Sequence, residues 1–315
     1  MAAEYGNGDK ACAPFAQRRS ASSVRMHGFE RVIDPGGDMP VNEGPDPHAF
    51  RDFEHAGWES NVSEYEDAFA RLTSQAIEPL LEAVALRPGI RLLDMATGPG
   101  YVAAAAAARG ARAVGIDFSA PMVARARELN PAVEFQEGDA EALSFADASF
   151  DAVVMNFGIL HLARPERAVN EAARVLKPGS RFAFTAWAKA EEAVGFGIIL
   201  NAIQSHGNPE AHLPQGPPFF RFSDEAECER TLREAGFAKV NVTQVPQIWR
   251  FTAADELFEA FYNGGVRIKA ILRAQSSEAL DAIRVAVRET AKKFTRHGVI
   301  EIPMPAVLAS ALKPA

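Results

Sequence analysis

The strongest chemical signal in the 315 residues is the stretch Leu92-Leu93-Asp94-Met95-Ala96-Thr97-Gly98-Pro99-Gly100-Tyr101-Val102-Ala103. Its last six residues satisfy Gly-x-Gly-x-x-Ala between an apolar run and an Ala-rich segment, the setting of a strand-to-helix turn. Glycines at such a turn let a ligand approach the backbone, and the following helix offers its free N–H groups. Asp117 stands 19 residues after Gly98, at the end of the next apolar run, the right distance for an acid that binds ribose hydroxyls. These features alone serve a dinucleotide equally well. Asp94 separates the two ligands: it ends the first strand four residues before Gly98 and faces the same crevice. A pyrophosphate there meets a carboxylate and is repelled, whereas a ligand carrying an ammonium and a sulfonium is attracted. S-adenosyl-L-methionine is such a ligand.

The elements that must position these residues follow from periodicity. From Phe50 to Leu86 apolar residues recur at three- and four-residue steps (Val62, Tyr65, Phe69, Leu72, Ala76, then Ile77, Leu80, Leu81, Val84), which predicts helices ended by Arg87-Pro88-Gly89. Strands are expected at Ile90–Met95, Ala111–Ile116, Val133–Gln136, Phe150–Asn156 and Arg181–Trp187. Helices are expected at Tyr101–Arg109, Ala120–Leu129 and Pro165–Leu176, the last ended by Lys177-Pro178-Gly179. Repeated β-α-β with short connections means a parallel sheet covered by helices on both faces. Beyond it, Ser205 to Arg221 is a loop dense in Pro, Gly and aromatics, and Ser223 caps a further helix. Lys239–Val245 alternates like a strand, Leu280, Ile283, Val287 and Phe294 mark one helix face, and Ile300–Leu312 returns as the last strand. The expected organisation is a 1–47 N-terminal extension and a single domain over 48–315. Within the domain the segments are the helices 48–88, the alternating core 89–187 with the glycine turn, the insert 188–222 that breaks the alternation, and the C-terminal half of the sheet with its helices over 223–315. Phe15 to Arg25 is Arg- and Ser-rich and acid-free, as transit peptides are, but Glu4 and Asp9 precede it, which favours a flexible arm.

Composition excludes several classes. The formal charge of −8 opposes a protein that tracks phosphates along nucleic acid. No apolar run approaches the length of a membrane span. Cys12 and Cys228 cannot build a disulfide framework or a CxxC site, and the seven histidines are scattered without ligand spacing, so no metal is expected. A reducing, cytoplasmic setting is expected, with a small molecule rather than nucleic acid as ligand and a homodimer left open.

Five motifs in order extend the reading: Leu-Asp-x-x-x-Gly-x-Gly; Gly115-Ile116-Asp117-Phe118-Ser119; Glu137-Gly138-Asp139-Ala140-Glu141-Ala142-Leu143; Phe150-Asp151-Ala152-Val153-Val154; and Leu176-Lys177-Pro178-Gly179-Ser180. Together they resemble the class I S-adenosylmethionine-dependent methyltransferases, most of all the small-molecule branch that includes the ubiquinone/menaquinone-type C-methyltransferases. The match is close over 58–187 and holds only in outline elsewhere. The resemblance implies a doubly wound, mostly parallel seven-stranded sheet with an N-terminal helical lid. It also implies that Ala96, Gly98 and Gly100 line the loop under the methionine part of the cofactor, with Asp94 at its amino group. Asp117 would take the ribose hydroxyls, and Phe118 and Met122 would wall the adenine. Asp139 would accept from the adenine amino group, the backbone of Ala140 would serve the ring, and Asn156 would offer its carbonyl near the ammonium. Asp151 reads instead as a structural cap.

On the acceptor side, methyl transfer from a sulfonium needs alignment and exclusion of water, and a base only if the acceptor must lose a proton. His161, in Gly158-Ile159-Leu160-His161-Leu162 after the fourth strand, is the candidate base or acceptor contact; fixing its own loop is the plainer role. Trp58 and Tyr65 on the lid, and Trp187, Phe219 and Phe220 beside the insert, are candidate walls of an aromatic-lined pocket, though such residues also fill cores. His206 and His212 read as ordinary loop residues. The position of the Asn-Pro-Pro-Tyr signature of nucleic-acid amine methyltransferases reads Asn156-Phe157-Gly158, and the longer signatures of the quinone-pathway enzymes are missing, so the acceptor stays unnamed. The competing readings are an NAD(P)-dependent oxidoreductase on the same type of fold, a catalytically silent cofactor-binding accessory protein, and an enzyme that uses the sulfonium otherwise.

Overall fold

The structure, a computed structural model, describes residues 46–210 and 212–315. The chain enters through α1 (Pro47–Glu59), α2 (Val62–Ala68), α3 (Ala70–Thr73) and α4 (Ile77–Ala83). The alternating part follows as β1 (Arg91–Met95), α5 (Tyr101–Ala108), β2 (Arg112–Asp117), α6 (Ala120–Leu129), β3 (Glu134–Glu137), β4 (Phe150–Asn156), α7 (Pro165–Val175) and β5 (Leu176–Trp187). Then come α8 (Val194–His206), α9 (Glu225–Glu234), β6 (Ala238–Val245), β7 (Ile248–Phe251), α10 (Glu256–Gly264), α11 (Arg267–Arg273), α12 (Ser277–Ala291), β8 (Thr295–Arg296), β9 (Val299–Pro303) and β10 (Ala306–Leu312).

Seven strands form one sheet in the order β3-β2-β1-β4-β5-β10-β6, parallel except for β10, which runs antiparallel to both neighbours. The central strands are buried on both faces, so they read as nearly unbroken apolar runs. The two-residue period of the strands divides their side chains between two layers. Leu92, Ala152 and Val154 join one apolar cluster with the lid and the C-terminal helices, while Leu93, Val153 and Met155 join another with α7 and α9. On α7 the buried residues Ala168, Val169, Ala172 and Val175 follow the helical step, which is why that face meets the sheet.

Strand order reverses between β1 and β4, which opens a crevice beyond their carboxyl ends, where open α/β sheets bind ligands. The residues that turn the chain at that crevice are in the left-handed region without being glycine: Ala96 after β1 (φ +53°) and Phe157 after β4 (φ +55°). Such conformations are held by surrounding structure and cluster at functional sites.

Several expectations need correction. Asp46 and Pro47 belong to α1 rather than to an extension: the Asp46 carboxylate accepts from His48 N at 2.8 Å and Pro47 opens the helix. The expectations for a targeting segment or flexible arm over 1–45 lie outside the described residues. The insert 188–222 opens with α8, which packs on α12 and runs to His206, so the loop read from Ser205 starts just after it. The run Ile300–Leu312 is two strands in two sheets. β9 pairs with β7 and β8 in a small antiparallel sheet, Met304-Pro305 breaks the run, and only β10 enters the main sheet. α7 ends at Val175, before Lys177-Pro178-Gly179, which instead lies at a register shift in β5. Asp224, not Ser223, caps α9, accepting from Ala226 N at 2.8 Å, and Phe294 falls beyond α12.

Candidate functional site

A cavity enclosing about 1090 Å³ of empty space, its mouth included, lies over the carboxyl ends of β1, β2 and β4. Of the residues singled out from sequence, Trp58, Tyr65, Ala96, Gly98, Asp117, Phe118, Met122, Asp139, Ala140, Asn156, His161, Trp187 and Phe219 line it. Asp94, Gly100 and Phe220 do not.

The glycine loop is built by Asp117. Its Oδ2 accepts from Gly98 N at 2.8 Å and its Oδ1 from Ser119 N at 3.0 Å, so one carboxylate ties the loop after β1 to the N-cap of α6. Burial raises the Asp117 carboxyl above the usual range against these two hydrogen bonds. The two glycines do different work. Gly98 has φ +52° and a side chain there would meet nothing, which is the cradle a ligand needs. Gly100 has φ +83°, and a Cβ would lie 2.6 Å from the Phe135 ring, so it serves the packing of α5 against α6 and β3. Gly98→Ala is therefore expected to cost about 1 kcal/mol of stability while weakening cofactor binding. Gly100→Ala costs several-fold more stability, because overpacking adds about 1–3 kcal/mol to the backbone strain. Thermal unfolding of the two variants checks the order.

Asp94 stands behind the loop, fully buried. Its Oδ2 accepts from Thr97 Oγ1 at 2.5 Å and Ala103 N at 3.1 Å, while Oδ1 has no partner among the described residues. Burial pushes its carboxyl up to about 7, with the nearby Asp117 charge adding and the two hydrogen bonds opposing. A buried carboxylate with an orphaned oxygen directly behind a glycine cradle favours a cationic group in that cradle through its charge. The residues present thus suit S-adenosylmethionine.

At the adenine end, Phe118 is held edge-on by His55 at 5.1 Å, with His55 Nε2 also 3.2 Å from the Phe118 carbonyl. Asp139, expected to accept from the adenine amino group, also holds protein groups. Its Oδ2 accepts from Arg51 of α1 at 2.9 and 3.2 Å, and its Oδ1 accepts from Glu141 N at 2.8 Å. Asn156 spends its side chain on Thr73 O (3.2 Å) and Thr185 Oγ1 (2.7 Å), which aligns α3 with the sheet. Asp151 has the structural role expected, accepting from Arg91 N at 2.9 Å and Lys177 Nζ at 2.7 Å.

At the other end the lid and the insert meet. Trp58 stacks edge-on against Tyr65 (5.7 Å) and against His161 (4.9 Å). Phe219 packs on Phe196 at 5.3 Å, and Phe220 buttresses both from behind the lining. Tyr65 donates to or accepts from Thr73 Oγ1 at 2.9 Å, and burial pushes its phenol up to about 12, so it is a wall and not a base near neutral pH. His161 Nδ1 lies 2.9 Å from Glu54 Oε2.

Sequence reasoning missed Arg51, Glu54, Phe196, Phe261 and the α10–α11 turn through Arg267, all at or beside the cavity. One signal was available: Glu54 lies midway between Phe50 and Trp58 at four-residue steps, a charge in the buried stripe of α1. Among the described residues no helix is long and apolar enough to cross a membrane, and no His/Cys/Asp/Glu cluster could hold a metal.

Comparison with known proteins agrees with this geometry. Residues 93–184 match the model of the methyltransferase domain. A demethylmenaquinone methyltransferase of Beutenbergia cavernae is 36% identical over 171 residues, covering 51% of this chain and 70% of that protein. A ubiquinone/menaquinone biosynthesis C-methyltransferase of Rhodopseudomonas palustris is 37% identical over 170 residues, covering 48% and 67%. Among solved structures, the YcgJ protein of Bacillus subtilis superposes with a TM-score of 0.50 at 22% identity, covering 76% of this chain and 98% of that one, which speaks for the fold. With a Rossmann-like sheet and this glycine loop, the chain belongs to the class I S-adenosylmethionine-dependent methyltransferases, enzymes whose cofactor is S-adenosyl-L-methionine.

Proposed function

We propose that the protein methylates a small apolar or aromatic molecule seated between the lid, His161 and the aromatic insert. The observation that carries this reading is the continuity of one cavity. Gly98 of the glycine loop, Asp117, Phe118 and Met122 line it together with Trp58, Trp187, Phe196 and Phe219. When bound, S-adenosylmethionine supplies a methyl group already activated on sulfur. Gly98 would give it close backbone approach, Asp117 would use its remaining lone pairs for the ribose, and Asp94 would face its ammonium. Phe118 and Met122 would flank the adenine, with Ala140 at the ring and Asn156 O near the amino group. The lid excludes water from the crevice: α1 is tied to the loops after β2 and β3 through Arg51–Asp139 at 2.9 Å and Glu59, which accepts from Ala120 N at 2.9 Å. A cytoplasmic setting belongs to the same reading.

The test is parallel calorimetric titration with S-adenosylmethionine, S-adenosylhomocysteine and NADH, followed by turnover with phenolic, amine and carbon acceptors. Tight binding of the first two and none of the third is expected, with transfer to an aromatic acceptor. Binding of NADH instead overturns the reading in favour of an oxidoreductase. Cofactor binding without transfer to any acceptor turns it toward an accessory protein.

A further inference from the structure

Glu54, His161 and Arg267 form a group that holding a cofactor does not require. They come from α1, from the helical turn Ile159–His161 after β4, and from α11. Glu54 is fully buried. Its Oε1 accepts from Arg267 Nε at 2.7 Å, and its Oε2 meets His161 Nδ1 at 2.9 Å. Arg267 donates further to Leu160 O at 2.6 Å and Pro217 O at 3.1 Å, with its guanidinium over Phe50 (4.5 Å) and Phe219 (5.4 Å). Burial alone would raise the Glu54 carboxyl, but His161 and Arg267 outweigh it and hold the group below the usual range, so it is ionised.

An ionised carboxylate only accepts, so the proton of a neutral His161 sits on Nδ1 and the lone pair on Nε2. Nε2 has no hydrogen-bond partner among the described residues, and the ring lines the cavity beside Trp58 and Phe219. The other polar groups at this end are spent: the Tyr65 hydroxyl on Thr73, and the Asn156 amide on Thr73 and Thr185. Nε2 is therefore the side-chain atom at this end fit to take a proton. A carboxylate that orients and polarises an imidazole is the arrangement of a general base.

We infer that Glu54 and His161 together make a base for an acceptor whose nucleophilic oxygen carries an acidic proton, a phenol or enol on an aromatic body. His161 is the catalytic residue, and Glu54 and Arg267 are positioning residues. The acceptor O–H bond breaks and its proton passes to Nε2. The oxygen forms a bond to the methyl carbon as the carbon–sulfur bond breaks, its electron pair staying on sulfur, and the imidazolium afterwards returns its proton to water. Because Glu54 is on the lid helix, docking of α1 orients the base. This deepens the methyl-transfer reading and rests on it.

The test uses 4-nitrophenol, whose phenolate absorbs where the phenol does not, with the full-length protein and no cofactor. Just below the dye's own pKa, the bound dye is expected to be more ionised than the free dye, and the excess is lost in His161→Gln and Glu54→Gln. With cofactor, His161→Gln is expected to slow transfer to weakly acidic phenols by about 10²–10⁴-fold. Phenols already ionised in the assay should lose less than about tenfold. His161→Gln leaves the Glu54–Arg267 pair whole, so it decides the matter even if Glu54→Gln does not fold. Equal ionisation of the bound dye in wild type and variants, a rate loss independent of phenol acidity, or failure of the phenols to bind overturns the inference. Dye ionisation with no transfer to any acceptor leaves the base standing and removes the methyl-transfer reading. Transfer to amines alone, with a neutral bound dye, does the reverse.

Discussion

Asp117→Ala reduces affinity for S-adenosylmethionine by more than about a hundredfold in calorimetric titration. The carboxylate holds two backbone N–H groups, Gly98 at 2.8 Å and Ser119 at 3.0 Å, and it also lines the cavity. Hydrogen bonds to a charged group contribute roughly 1.5–3 kcal/mol each, and about 1.4 kcal/mol is a factor of ten in affinity. Loss of the ribose contact together with release of the glycine loop therefore exceeds two orders of magnitude. The stability loss is smaller, because removing a buried carboxylate also removes its desolvation. A midpoint of thermal unfolding lowered by a few degrees, with cofactor binding gone, is the expected pair of results. Unchanged affinity would remove Asp117 from the ribose. His161→Ala is the control and leaves cofactor affinity within about threefold, since the side-chain hydrogen bond of His161 goes to Glu54 and not to the glycine loop.

The second large effect concerns pH and Asp94. Its carboxyl is pushed up to about 7 in the folded protein, against about 3.9 in the unfolded chain. For this group the folded state binds more protons than the unfolded state between these values, so the contribution of Asp94 to the stability of the cofactor-free protein is fully present at the acid end and is lost as pH rises toward about 7. A shift of this size corresponds to roughly 4 kcal/mol. Asp94→Asn keeps an oxygen where Oδ2 accepts from Thr97 and Ala103 and places an amide where Oδ1 is orphaned. It is expected to flatten the pH dependence, raise the unfolding midpoint at pH 8 by several degrees, and weaken S-adenosylmethionine binding by about 10–100-fold, as loss of one charged partner does. In the wild type, cofactor affinity rises with pH toward about 7, since the ammonium prefers the ionised carboxylate. Scanning fluorimetry across pH and calorimetry at two pH values check both halves. A midpoint in Asp94→Asn that still tracks pH like the wild type would show that another group carries the dependence.

Much of this protein was legible in order along the chain. The strands β1 to β5, the helices between them, the glycine loop and Asp117 were read directly, because each is encoded by residues close together: an apolar run, a helical step, a glycine turn, an acid 19 residues on. Asp94 was readable as an acid facing the crevice. That one of its oxygens is orphaned, and its carboxyl consequently raised, follows from burial that no local pattern reports.

What only the tertiary structure decided are pairings between distant segments. Ile300–Leu312 is apolar but for Glu301 and Ser310, and apolarity does not say which sheet a strand joins. The break at Met304-Pro305 and the hydrogen bond from Met304 N to Gln247 O at 2.9 Å send its halves to different sheets. Asp139 carries the expected residue type at the expected position, yet Arg51, 88 residues earlier, occupies its carboxylate. Glu54 stands 107 residues from His161 and 213 from Arg267, and the three meet only because the lid and the α10–α11 turn close over the same strand ends. A charge in an apolar stripe is a misfit in sequence, since burial without a partner costs several kcal/mol. Its partners, and so whether it is a defect or a device, are set by how the chain packs.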